Sequence, residues 1–128
     1  MRVKTGFKNI ITFKKKIKKS DKRFREREEI EFEISDPKEM EVILENLGFR
    51  KKLIMEKYRE KWQRGSVEIV IDKLPFGYFI EIEGDKKEIL KTIKNLELNF
   101  QDKITDTYWD LWEDYRKKHR AKDENIIF

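Results

Sequence analysis

The chain contains no cysteine, which excludes both a disulfide framework and a thiolate metal site. Its 128 residues include only 2 Pro and 5 Gly, and no stretch is long enough to act as a linker dividing the chain. The one histidine, His119, falls near the end of a helical stretch, where the helix dipole favours a cation; that accounts for it better than metal ligation. No apolar run approaches the roughly 18 residues of a membrane span, and no signal peptide is visible. The expectation is a single cytoplasmic domain.

Charge is what the chain has in abundance. Charged residues make up 45% and apolar residues 38%, so the core must be modest. The 9 Phe, 3 Trp and 4 Tyr recur periodically, which argues against disorder. Trp62, Trp109 and Trp112 read as packing anchors rather than base-stacking platforms. Heavy use of Lys, Glu and Ile with little Gln is compatible with a thermophilic source. The net charge of +5 hides an asymmetry: residues 1–23 hold ten Lys or Arg against the single acid Asp21, so they carry +9 and the remainder −4. Such a basic arm suits phosphate contacts with nucleic acid, or equally a solvated hairpin.

Four strand-like stretches carry a charge at nearly every second position. Arg25, Arg27, Glu29, Glu31 and Glu33 alternate with Ile30, Phe32 and Ile34; Lys57, Arg59 and Lys61 alternate with Tyr58 and Trp62. Glu68 and Asp72 alternate with Val67, Ile69 and Ile71, and Glu81 and Glu83 with Ile80 and Ile82. Strand side chains point to opposite faces with a period of two, so each strand has an apolar face and a face bearing charges. Solvation explains any one such face. Four together suggest a sheet closed around a charged interior that binds metals or phosphates, with the apolar faces packed beneath helices.

Residues 8–18 read as a strand after a turn at Gly6, and Arg2-Val3-Lys4 ends the strand before it. A polar connection from Lys18 to Lys22 leads to a strand from about Phe24 to Ile34. Asp36, Pro37 and Glu39 signal a helix start with a capping box; Met40, Ile43, Leu44 and Leu47 form its apolar face and Gly48 ends it. The alternation from Phe49 to Gln63 predicts one long strand, joined through Arg64-Gly65 to Ser66–Lys73 and through the Pro75–Gly77 turn to Tyr78–Glu83, all antiparallel. A second helix opens at Asp85 and carries Ile89, Leu90 and Ile93. A third runs from about Thr105 to Arg120 with Tyr108, Leu111, Trp112 and Tyr115 at helical spacing. The tail from Ala121 is irregular, with Ile126, Ile127 and Phe128 tucked against the body.

The run Leu47-Gly48-Phe49, Lys57-Tyr58-Arg59, Val67 to Asp72 and Leu74 to Gly84 resembles the CYTH superfamily of class IV adenylyl cyclases, thiamine triphosphatases and other triphosphate tunnel metalloenzymes. Ile11 to Lys14, Arg27 to Glu31 and Asp106 to Leu111 continue the likeness, which covers residues 1–120 and leaves 121–128 as a tail. The resemblance implies an α+β fold, an antiparallel β-barrel or tunnel with helices packed outside. It implies that Arg2, Lys4, Lys14, Lys57 and Arg59 bind a triphosphate, Lys57 and Arg59 also serving catalysis. Glu31, Asp72, Glu81 and Glu83 fall where the family keeps metal-binding carboxylates for Mg²⁺ or Mn²⁺, and Glu29 or Glu33 could replace Glu31. A triphosphate demands several fixed cations, and paired carboxylates suit a hard cation.

One departure stands against the matches. The family pattern opens with Glu-x-Glu-x-Lys, whereas this sequence opens at Met1-Arg2-Val3-Lys4, so the tunnel is expected to be incomplete relative to eight strands. A truncated reading frame, closure of the tunnel in a homodimer, and a domain that binds without turnover are the three expectations. The functional expectations are a metal-dependent enzyme acting on ATP, thiamine triphosphate or inorganic triphosphate; an inactive triphosphate- or polyphosphate-binding module; and nucleic-acid binding through the basic arm.

Overall fold

Alternating side chains and short turns organise the two halves of the chain alike. The computed structural model describes residues 1–16 and 26–128, which form two compact units, Met1–Lys52 and Leu53–Phe128. The basic segment from Lys18 to Arg23, and the expected strand start at Phe24 and Arg25, lie outside the described residues.

In the first unit, β1 (Arg2–Lys4), β2 (Ile10–Lys16) and β3 (Arg27–Glu33) form an antiparallel sheet in that order. The register sets Thr12 between Arg2 and Glu31, and Ile11 between Val3 and Phe32. Arg2, Lys4, Lys14, Glu29, Glu31 and Glu33 therefore share one face, and Val3, Ile11, Phe13, Ile30 and Phe32 the other. Helix α1 (Pro37–Asn46) starts where Asp36 accepts hydrogen bonds from the Lys38 and Glu39 N–H groups, so only the Asp36 half of the expected capping box forms. It ends in a Schellman motif: Phe49 N–H donates to Leu44 and Gly48 N–H to Glu45, with Gly48 at φ 87°. Met40 of α1 helps line an apolar cavity with Ile11, Phe13, Ile30 and Phe32, yet Phe32 stays 66% exposed. The expectation that this apolar face lies covered by helices is thus only partly met, since Phe13 and Ile30 are exposed as well.

In the second unit, β4 (Tyr58–Arg64), β5 (Val67–Leu74) and β6 (Gly77–Glu83) form an antiparallel meander, the order read from the sequence. The long strand from Phe49 does not form. The β4–β5 ladder ends at Tyr58 opposite Lys73, one position before the end of β5 at Leu74, so β5 is too short to pair with a strand reaching back to Phe49. The segment pairs with the tail instead: Met55 bridges Ile126 in parallel, Glu56 N–H donates to the Ile126 carbonyl, and Ile126 N–H to that of Ile54. The tail closes the core with Ile126, which is fully buried beside Leu74 and Trp112, while Ile127 and Phe128 remain exposed. Helix α2 (Lys86–Asn95) is capped by Asp85 and contacts β5; α3 (Tyr108–His119) brings Tyr108 and Trp112 to the core. The fold is α+β, with two three-stranded antiparallel sheets and three helices among the described residues.

Candidate functional site

Asp72 is the only fully buried charged residue among those described, with an exposure of 0%. Its position on the central strand of the second sheet explains the burial. The register sets it between Arg59 of β4 and Phe79 of β6, on the face that also carries Val70 and Leu74. Tyr108 of α3 covers it.

An isolated carboxylate there would be prohibitively unstable, so its partners matter. Arg59 grips both oxygens, with Nε donating to Oδ1 at 2.7 Å and Nη2 to Oδ2. Lys57 Nζ donates to Oδ2 at 2.7 Å and the Tyr108 hydroxyl to the same oxygen at 2.8 Å. Arg59 Nη2 also reaches Glu81 Oε2 at 2.7 Å, so one guanidinium ties two acids on separate strands. Lys57 Nζ lies 5.2 Å from the Tyr108 ring centroid, a cation–π contact.

The protonation equilibria follow. Burial alone would raise the Asp72 pKa, but the hydrogen bonds from Arg59, Lys57 and Tyr108 outweigh it and pull the carboxyl to about 2. Burial lowers the Lys57 ammonium below its ordinary value, opposed by its bond to Asp72. The Arg59 guanidinium is desolvated too, but its bonds to Asp72 and Glu81 hold it firmly protonated. Tyr108 is raised, first by burial and then by donating to Asp72. The cluster is therefore a charged network in which two cations balance two carboxylates.

Of the residues singled out in the sequence, Lys57, Arg59, Asp72 and Glu81 come together here. Glu83 shares the face but sits exposed, two positions from Glu81 and opposite Glu68, whose carboxylate pairs with Lys61 at 2.8 Å. Arg2, Lys4, Lys14 and Glu31 belong to the first unit. There Thr12, 3% exposed, donates to Glu31 Oε1 at 2.8 Å, and Lys14 pairs with Glu29 at 2.6 Å. Lys8 pairs with Glu33 at 2.9 Å, while Arg2 and Lys4 form no ion pair among the described residues. In the sequence Tyr108 stands out as a helix-face residue within the Asp106 to Leu111 stretch. Nothing in its spacing announces a hydroxyl that reaches a strand 36 positions away.

The divalent ion implied by the resemblance finds a poor fit. Both oxygens of Asp72 are engaged by protein donors, and Glu81 commits an oxygen to Arg59. Among the described residues no three acidic or other ligating side chains gather into a set able to hold a metal. Asp72 anchors the Lys57 and Arg59 cations through these bonds.

A CYTH domain family model matches residues 1–121. A Methanocaldococcus jannaschii protein named "Putative adenylate cyclase MJ0240" is 36% identical over 80 residues, covering 62% of this chain and 46% of its own length. The chain thus spans about half the length of the curated relative it matches. Two solved structures are also similar. The PH1012 protein from Pyrococcus horikoshii OT3 is 28% identical with a TM-score of 0.71, covering 79% of this chain and 65% of its own. A conserved hypothetical protein from Pyrococcus furiosus is 26% identical with a TM-score of 0.71, covering 81% of this chain and 67% of its own.

Proposed function

This chain belongs to the CYTH domain family, and from that premise we propose that it recognises the triphosphate group of ATP, thiamine triphosphate or inorganic triphosphate. The observation that carries the reading is the Asp72 anchor, which holds the Lys57 ammonium and the Arg59 guanidinium side by side. Cations held by a buried carboxylate are preorganised, so a phosphate that takes over their hydrogen bonds meets a donor array already in place. Arg59 offers a planar fork suited to phosphate oxygens, and Lys57 a compact point charge. Arg2, Lys4 and Lys14, sharing one face of the first sheet, are the further phosphate contacts of the proposal. The tunnel architecture expected from the resemblance is part of it as well.

Calorimetric titration with each of the three triphosphates, with and without Mg²⁺, tests this. Saturable binding that weakens in Lys57→Ala supports it, and absence of heat with all three refutes it.

Turnover is the second reading, favoured by Glu81 and Glu83 lying two positions apart on the face that carries Arg59 and by the cyclase name of the Methanocaldococcus relative. It predicts release of phosphate, pyrophosphate or cyclic AMP that Glu81→Gln abolishes. Binding without any of these products assigns the chain to recognition alone.

A further inference from the structure

Tyr108 has none of the roles assigned to the cations and carboxylates, yet its hydroxyl ends inside their network. The Thr107–Asp110 capping box fixes the start of α3 and sets Tyr108 at the first helical position. From there its ring packs against Phe79, with centroids 5.1 Å apart, and Phe79 is the β6 residue opposite Asp72. The ring also lies 5.2 Å from Lys57 Nζ, and the hydroxyl donates to Asp72 Oδ2, the oxygen that Lys57 itself binds. One side chain therefore touches both members of the Lys57–Asp72 pair.

The donors to Asp72 differ in what a ligand asks of them. A phosphate group competes with Asp72 for Lys57 and Arg59, and each hydrogen bond it takes leaves the buried carboxylate less satisfied. The Tyr108 hydroxyl carries no charge, so a phosphate draws it less strongly than it draws Lys57 and Arg59, and its bond to Oδ2 is the one the ligand disturbs least. Resting on the triphosphate reading, we propose that Tyr108 is a positioning residue for that site. It holds Asp72 and the Lys57 ammonium in the geometry from which Lys57 and Arg59 engage an anionic ligand, and it supports Asp72 once they have done so.

Tyr108→Phe removes the hydroxyl and keeps the ring that packs on Phe79. The experiment is a double-mutant cycle of Tyr108→Phe and Lys57→Ala, each protein titrated calorimetrically with inorganic triphosphate, after circular dichroism confirms a wild-type spectrum. Tyr108→Phe is expected to weaken binding ~tenfold, the scale of one hydrogen bond to a charged group. In the Lys57→Ala background the same change should cost clearly less, because a cation it positions is gone. A general structural weakening would lower affinity by the same factor in both backgrounds, and that result overturns the positioning role, as does unchanged binding in Tyr108→Phe. A wild-type chain that binds no triphosphate overturns the functional reading itself, and the positioning role with it. If Tyr108→Phe fails to fold, Tyr108→Trp and Phe79→Leu supply the comparison. Loss with the first and retention with the second supports the role, and equal loss contradicts it.

Discussion

Asp72 shows how one buried carboxylate shapes everything around it. Four hydrogen bonds from Arg59, Lys57 and Tyr108 converge on its two oxygens, and they are why its pKa sits near 2 rather than at the ordinary 3.8. The folded-state value is depressed, so the stabilisation is fully present above pH 4 and is lost as pH falls from about 4 through 2. Its size is on the order of 2 kcal/mol for a shift of this extent. Denaturant unfolding followed from pH 7 to pH 2 should show that loss, and Asp72→Asn should flatten the acid limb while lowering stability at neutral pH. An unchanged acid limb in Asp72→Asn would show that other carboxylates govern it. The sequence revealed Asp72 as a charge on an alternating strand, but not its role. Alternation tells which face a side chain occupies, whereas the choice between metal ligand and cation anchor depends on the partners that tertiary packing brings. Tyr108, contributed by a helix distant in sequence, was illegible for the same reason.

The helices are where local chemistry was most readable, since caps are encoded within four or five residues. Asp36-Pro37 and Asp85 begin α1 and α2 as the sequence indicates. For α3 the expected start near Thr105 gives way to Thr107, whose capping box with Asp110 decides the boundary. Alternation alone overstates β4, because periodicity continues through residues 49–57 while ladder pairing stops at Tyr58 and residues 54–56 bond to Ile126 of the tail. The end of α2 offers a test. Its Schellman motif, with Leu98 N–H on Ile93 and Glu97 N–H on Lys94, places Glu97 at φ 54°, a left-handed conformation in which a Cβ is costly. Glu97→Gly should therefore raise stability by up to about 1 kcal/mol, seen as a higher denaturant midpoint with an unchanged slope. A lower midpoint would mean that the Glu97 side chain contributes more than its backbone conformation costs.

At the scale of the whole molecule, charge of both signs was legible as faces, and the structure adds how those faces are wired. In the first unit Lys14 pairs with Glu29 across strands while Arg2 and Lys4 carry no ion pair among the described residues; in the second, Lys57 and Arg59 converge on one buried acid. The apolar faces are less covered than alternation implies, with Trp62 61% and Tyr78 71% exposed. Family membership rests on a match across residues 1–121. The most direct measurement is a calorimetric titration of inorganic triphosphate into the wild-type chain and into Lys57→Ala, each at low and at high salt. Lys57→Ala leaves the two-pronged Arg59 grip on Asp72 in place, so the fold should persist. Triphosphate recognition through Lys57 and Arg59 predicts saturable wild-type binding that weakens with salt, and affinity at least about tenfold lower in Lys57→Ala, the scale of one charged hydrogen bond. Wild-type binding that is absent, or equal in Lys57→Ala, would contradict it.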